Sequence, residues 1–225
     1  MTEYVLNSIH EHLILETGST SLLLDTGAPS SLGKRNINLC DRVFQVQDQY
    51  LGVSLEWLVE QTGCQIDGLL GMDILSEFTM ELDVARNQIR FDEKFNGEGS
   101  TIPVTSIMGI PVIEISIEGN EQQVFFDTGA QLSYADPSLM TGMEAVGEMD
   151  DFYPGFGNFK TSVYKLETML AGKNLTCSYG ILPELLRSTL MMAGTSGILG
   201  NEILQEFRCT LNMRENLMFI ISVDA

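Results

Sequence analysis

The sequence predicts an all-β chain made of two related halves, and three observations carry that expectation. An apolar run ends in Asp-Thr-Gly-Ala twice, as Leu22-Leu23-Leu24-Asp25-Thr26-Gly27-Ala28 and as Val124-Phe125-Phe126-Asp127-Thr128-Gly129-Ala130. A glycine-closed apolar segment leading into a short helix also occurs twice, from Gly68 to Phe78 and from Gly197 to Phe207. Elsewhere, short apolar runs alternate with Gly, Asn and Asp punctuation, which is the pattern of strands joined in hairpins.

In chain order, residues 4 to 17 alternate loosely around Val5, Ile9, Leu13 and Leu15, and turn at Thr17-Gly18. Ser21 to Leu24 then run into Asp25, so this region reads as two strands of a hairpin. Ala28-Pro29-Ser30-Ser31 is a loop by composition. Val43 to Val46 and Val53 to Val59 are rich in β-formers and are separated by Gln47-Asp48-Gln49 and Gly52, so a second hairpin with its tip near Tyr50 is expected. Gly68 to Gly71 form a short strand, and about two helical turns should follow to Phe78. Met80, Leu82 and Val84 alternate, and Ile89 and Phe91 resume after Arg86-Asn87, as another hairpin. The segment from Glu93 to Pro103 has the most linker-like composition, which puts the boundary between an N-terminal lobe, 1–98, and a C-terminal lobe, 99–225.

The second half repeats the first. Asp127 follows Asp25 by 102 residues, whereas residues 197–216 match 68–87 at an offset of 129, with nine identities and no gap. The offsets differ by 27, so the second half carries that many extra residues somewhere in 135–196. Within them, Asp151 to Phe159 reads as a hairpin turning at Pro154-Gly155, and Pro183 to Met192 as a short helix with Pro183 in its first turn.

At 225 residues the chain can bury a real core in each half. No apolar run nears the roughly 20 residues of a membrane span, and the N-terminus lacks the basic-then-apolar pattern of a secretory signal. The formal charge of −19, with twelve scattered Lys and Arg, argues against nucleic-acid and anionic-membrane partners. Cys40, Cys64, Cys177 and Cys209 show no C-x-x-C spacing and read as mostly buried free thiols. Together these features give a cytoplasmic expectation.

The two Asp-Thr-Gly loops suggest chemistry. If the halves pack about a pseudo-twofold axis, Asp25 and Asp127 meet across it, and two carboxyls that close share one proton. One then acts as base toward water while the other polarises a carbonyl, giving amide hydrolysis with no metal, no cofactor and no covalent intermediate. The Asp-Thr-Gly-Ala loop, the following hairpin and the glycine-closed strand with its helix resemble the retropepsin-like branch of the aspartic protease superfamily, nearly end to end in both halves. The resemblance implies an acid-protease fold of two pseudo-twofold-related β-barrel lobes on one chain, so that a monomer suffices and the partner is a peptide or protein substrate.

It further implies that Asp25 and Asp127 are catalytic. Thr26 and Thr128 would brace the loops across the axis, and Gly27 and Gly129 would give the turn. The strands through Leu69-Leu70-Gly71 and Ile198-Leu199-Gly200 would run beneath those loops. Flaps would lie at Tyr50, Leu51 and Gly52 and at Tyr153, Pro154 and Gly155. Ala28 and Ala130 stand where pepsin-like enzymes place a hydroxyl, so a less acidic optimum than pepsin's is expected, above about pH 3.

Plainer readings apply to other features. His10-Glu11-His12 reads as surface residues rather than a metal site. Asp73 and Glu202 would favour the N-termini of the short helices, Met191 and Met192 would fill core, and Trp57 would pack in the first hairpin. The alternative function is a catalytically silent protease-like module that binds extended peptides by strand addition.

Overall fold

The computed structural model describes residues 1–50, 52–93 and 97–223, so Leu51, one of the expected flap residues, lies outside the described residues. The fold is mostly β, with two large sheets and a few short helices. No helix among the described residues is long and apolar enough to cross a membrane.

The strands are not distributed as one sheet per half. A ten-stranded sheet draws on both halves, and an eight-stranded sheet uses only residues between Thr105 and Leu199. The halves join in the larger sheet, where Thr79–Asp83 runs antiparallel to Phe207–Asn212 with Met80 opposite Leu211, Glu81 opposite Thr210 and Leu82 opposite Cys209. Ser100–Pro103, within the segment read as a linker, forms an edge strand of this sheet on Leu217–Ser222. The smaller sheet curls back on itself, since Ile110–Ile117 pairs with Asn120–Phe126 and also, through Ser116 and Ile117, with Gly157–Leu170.

Each apolar run before an Asp is buried by the same local arrangement. Thr20–Leu24 lies parallel to Gly68–Leu70, which also pairs antiparallel with Leu32–Gly33. Asn120–Phe126 lies parallel to Gly197–Leu199, which also pairs with Ser133–Tyr134. Leu22, Leu24, Leu70, Val124, Phe126 and Leu199 are fully buried, and they share one apolar core. Such side chains contribute about 1.5–3 kcal/mol each by leaving water, which fixes the height at which each loop emerges.

Several expected elements differ. The stretch before Thr17 is two strands, Thr2–Ile9 and His12–Thr17, folded at His10 and Glu11, which take left-handed angles of φ 48 and 64. The expected second strand after Val53 is an α-helix, Leu55–Thr62, with Ser54 accepting from the Trp57 N–H at 3.3 Å and Gly63 closing it at φ 67. Leu55, Leu58 and Thr62 form its buried side, a helical spacing that the β-rich composition disguised. The expected tip near Tyr50 is only a two-residue pairing, Gln49–Tyr50 with Val53–Ser54. The helix after Gly71 is a single turn, Met72–Leu75, and its counterpart Asn201–Gln205 is a 3₁₀ turn.

The additional residues of the second half build a long hairpin, Gly147–Tyr153 with Gly157–Leu170, turning through exposed Pro154, Gly155 and Phe156. A helix, Glu184–Met192, follows it. Met191 and Met192 are exposed on that helix rather than filling core. All four cysteines are free, and three of them are buried.

Candidate active site

Asp25 and Asp127 sit at the ends of equivalent strands and are brought together. The Asp25 N–H donates to the Leu70 carbonyl at 3.1 Å, and the Asp127 N–H donates to the Leu199 carbonyl at 3.0 Å. The chain then folds back over its own carboxylate. Gly27 and Ala28 donate to Asp25 Oδ1 at 2.8 and 3.0 Å, and Gly129 and Ala130 donate to Asp127 Oδ1 at 2.9 and 3.2 Å. The two carboxyls hydrogen-bond to each other.

The glycines have a different reason from the turn geometry expected of them. A Cβ on Gly27 would lie 2.2 Å from Asp127 Cγ, and one on Gly129 would lie 2.6 Å from Asp25 Cγ. Neither adopts a positive φ. Each glycine makes room for the carboxyl of the opposite loop.

Thr26 and Thr128 lock the loops together from below. Thr26 Oγ1 donates to the Phe126 carbonyl at 2.7 Å and accepts from the Thr128 N–H at 2.9 Å. Thr128 Oγ1 donates to the Leu24 carbonyl at 3.0 Å and accepts from the Thr26 N–H at 3.0 Å. Both residues are fully buried. Each hydroxyl satisfies one donor and one acceptor of the opposite loop, groups that would otherwise be stranded away from water.

Burial is the largest reason that both carboxyls hold protons more tightly than an ordinary aspartate. Asp25 is raised well above the usual range, with the Asp127 charge and its hydrogen bond adding to burial. Asp127 is raised by burial, against which the bonds from Asp25 and from backbone N–H groups work. The pair therefore favours a state with one proton and one negative charge, and its titration belongs to both groups.

A further layer of residues was not singled out from the sequence. Ser31 Oγ accepts from the Gly71 N–H at 2.8 Å, and Ser133 Oγ accepts from the Gly200 N–H at 3.0 Å. The signal was present: these serines stand 102 residues apart, like the aspartates. Asp73 is a clasp on the loop rather than only a helix-dipole residue, since its Oδ1 accepts from Ser31 Oγ at 2.6 Å and from the Ser31 N–H at 2.9 Å. Glu202, at the matching position, instead accepts from the Ser178 N–H at 2.7 Å and meets Lys165 at 3.4 Å. Gln131, next to the second loop, and Asn201, at the start of the 3₁₀ turn, reach to the turn at His10 and Glu11. His12 there is buried rather than a surface residue.

The flap candidates separate. Tyr50 packs against the apolar cluster that includes Val53, Leu55 and Leu58, and Gly52 is exposed at φ 80. Tyr153 is partly buried, and burial together with the charges of Asp127 and Asp25 raises its phenol's pKa. Pro154 and Gly155 turn in solvent. Besides its strand pairings, side-chain contacts at two adjacent residues anchor the first strand of this hairpin. Buried Tyr134, just beyond the Asp127 loop, donates its hydroxyl to Asp151. Phe152 meets Trp57 edge-on, with ring centroids 5.2 Å apart, so the hairpin reaches the Leu55–Thr62 helix of the first half. A hollow of about 460 Å³ lies between that helix and the hairpin, bordered by Gln61, Asp150, Phe152 and Lys160.

No family model and no curated protein matches the chain. Among solved structures, parts of the chain are similar to viral proteases. The solution structure of the simian foamy virus (mac) protease is 16% identical with a TM-score of 0.30, covering 40% of this chain and 86% of that one. The EIAV protease complexed with the inhibitor HBY-793 is 20% identical with a TM-score of 0.31, covering 43% and 86%. A foamy viral protease-reverse transcriptase in complex with an RNA/DNA hybrid is 17% identical with a TM-score of 0.33, covering 48% of this chain and 12% of that one.

Proposed function

We propose that the protein is an aspartic endopeptidase whose nucleophile is a water activated by Asp25 and Asp127. The observation that carries this reading is the mutual hydrogen bond of two half-buried carboxyls, held by loops that are bonded into each other through Thr26 and Thr128. A pair that keeps one proton has a base and an acid within reach of one substrate carbonyl. The ionised member takes a proton from water as its oxygen attacks, and the protonated member donates to the carbonyl oxygen. Collapse of the tetrahedral intermediate then returns a proton to the leaving nitrogen.

The register of the central strands supports reading the two halves as one repeated frame. Glu81 and Thr210 are 129 residues apart and face each other, while Met80 faces Leu211, the residue equivalent to Leu82, and Leu82 faces Cys209, the residue equivalent to Met80. That is the pairing a local twofold relationship generates. The long hairpin carrying Tyr153 serves as the single flap over a one-sided cleft, and because both carboxyls come from one chain, a monomer suffices.

The test is cleavage of a mixed peptide pool by the parent and by folded Asp25→Asn and Asp127→Asn. Cleavage by the parent that is lost in both variants is the expected result. A parent that binds extended peptides without cutting them would instead make the protein a peptide-binding module.

A further inference from the structure

The turn at His10 and Glu11 belongs to the first half, but its polar contacts are with the second. The Glu11 carbonyl accepts from Asn201 Nδ2 at 2.9 Å, and the same amide donates to the Thr128 carbonyl at 3.1 Å. The His10 carbonyl accepts from Gln131 Nε2, which also lies 2.9 Å from His12 Nε2. Gln131 directly follows Ala130, whose N–H holds the Asp127 carboxylate. The first loop has no such brace, because the positions matching Gln131 and Asn201 are Pro29 and Met72, which lack a side-chain donor.

We propose that His12 is a positioning residue for Asp127, holding the second loop through Gln131 from the other half of the chain; this rests on the hydrolytic reading above. A carbonyl only accepts, so the contact with His10 identifies the nitrogen end of the Gln131 amide. The second hydrogen of that nitrogen goes to His12 Nε2, which must then accept and carries no proton. The clasp therefore exists only with a neutral imidazole. Protonation sets one N–H against another. Turning the Gln131 amide over to relieve this would set its oxygen against the His10 carbonyl.

Protonation of His12 is also opposed by its surroundings. The residue is 6% exposed, and among the described residues its Nδ1 meets no partner. Burial, and secondarily the charge of His10, lower its pKa from 6.5 to about 4. Across the interface Gln131 and Asn201 are uncharged, and Glu11 is exposed at the tip. Because the fold disfavours the proton, stability is greatest above pH 6.5 and declines as the pH falls from there, and the clasp itself opens as the pH falls through about 4.

The test compares the full chain with Gln131→Ala, which removes the clasp at every pH, and with His12→Gln, whose side-chain oxygen accepts but does not titrate. Turnover of one peptide from the pool and the melting temperature are followed from neutral pH down through about 4 and below it. Near neutrality, Gln131→Ala should lose about tenfold or more in kcat with KM held, whereas His12→Gln, whose oxygen still accepts from Gln131, should keep the parent rate. As the pH falls, the kcat of His12→Gln relative to the parent should rise, and its melting temperature should pull ahead. A ratio and a melting difference that stay flat would overturn the proposal. If no protein in the series cuts peptide, the hydrolytic reading fails, and the melting difference still decides whether the clasp titrates.

Discussion

At the scale of single residues, the two aspartates are held in a state that costs stability. Their raised pKa values mean that the fold prefers protonated carboxyls, a contribution present at low pH and lost as the pH rises through the folded values. Asp25→Asn removes that charge conflict. It should abolish peptide cleavage, a loss of at least about a hundredfold, while raising stability near neutral pH by about 1 kcal/mol, checked by urea unfolding. The threonines behave oppositely. Thr26→Val keeps the shape but strands the Thr128 N–H and the Phe126 carbonyl, and should cost about 1–3 kcal/mol by the same measurement. The aspartates, threonines and glycines were legible because the chemistry repeats in short identical words. Ser31 and Ser133 recur at the same spacing but inside loops whose other residues differ, so only the geometry made them stand out. Gln131, Asn201 and His12 have no repeated counterpart to betray them, since their contacts join segments far apart in the chain.

At the scale of elements, the helix at Leu55–Thr62 is the instructive case. Its sequence carries Trp57, Leu58 and Val59 just after Val53, and this apolar density outweighed the Ser54 cap and Gly63 stop. Yet the offset of 129 places it on residues 184–191, where a helix was read. The repeat held the answer that local composition obscured. The difference matters because Trp57 on this helix is where the long hairpin rests. Trp57→Ala should free the hairpin and raise KM several-fold with a smaller change in kcat, because an edge-on aromatic pair contributes about 0.5–1.5 kcal/mol beyond its buried area. Tyr134→Phe removes the bond to Asp151, the neighbour of Phe152 in the same strand, and should weaken substrate binding in the same direction. Steady-state kinetics on one peptide separates these effects from loss of chemistry.

At the scale of the whole molecule, the halves are joined through backbone pairing rather than through a linker. The ten-stranded sheet passes from one half to the other at Glu81 and Thr210. Glu81 is 4% exposed there and is met by Arg90 at 3.0 Å and Arg208 at 3.8 Å. Removing the carboxylate with Glu81→Ala takes away the partner that the two arginines share, leaving Arg90 with Glu3 and Arg208 with Glu98, at a cost of about 1–3 kcal/mol in urea unfolding. The composition of the chain gave no hint of this sheet. Strands from distant segments pair through backbone groups that every residue carries, so register across the halves is set by the assembled fold. The asymmetry of the molecule was easier to read, since unequal spacings of 102 and 129 locate an insertion, and the structure spends it on one long hairpin.

The proposed function rests on one proton shared between Asp25 and Asp127. The most direct measurement is a pH titration of the two side-chain carboxyl carbons by NMR, assigned through the Asp25→Asn and Asp127→Asn proteins. The account predicts two coupled steps, with the loss of the shared proton displaced above the ordinary aspartate value of about 3.9. Two independent titrations near that ordinary value, each unchanged when the other carboxyl is replaced, would contradict it.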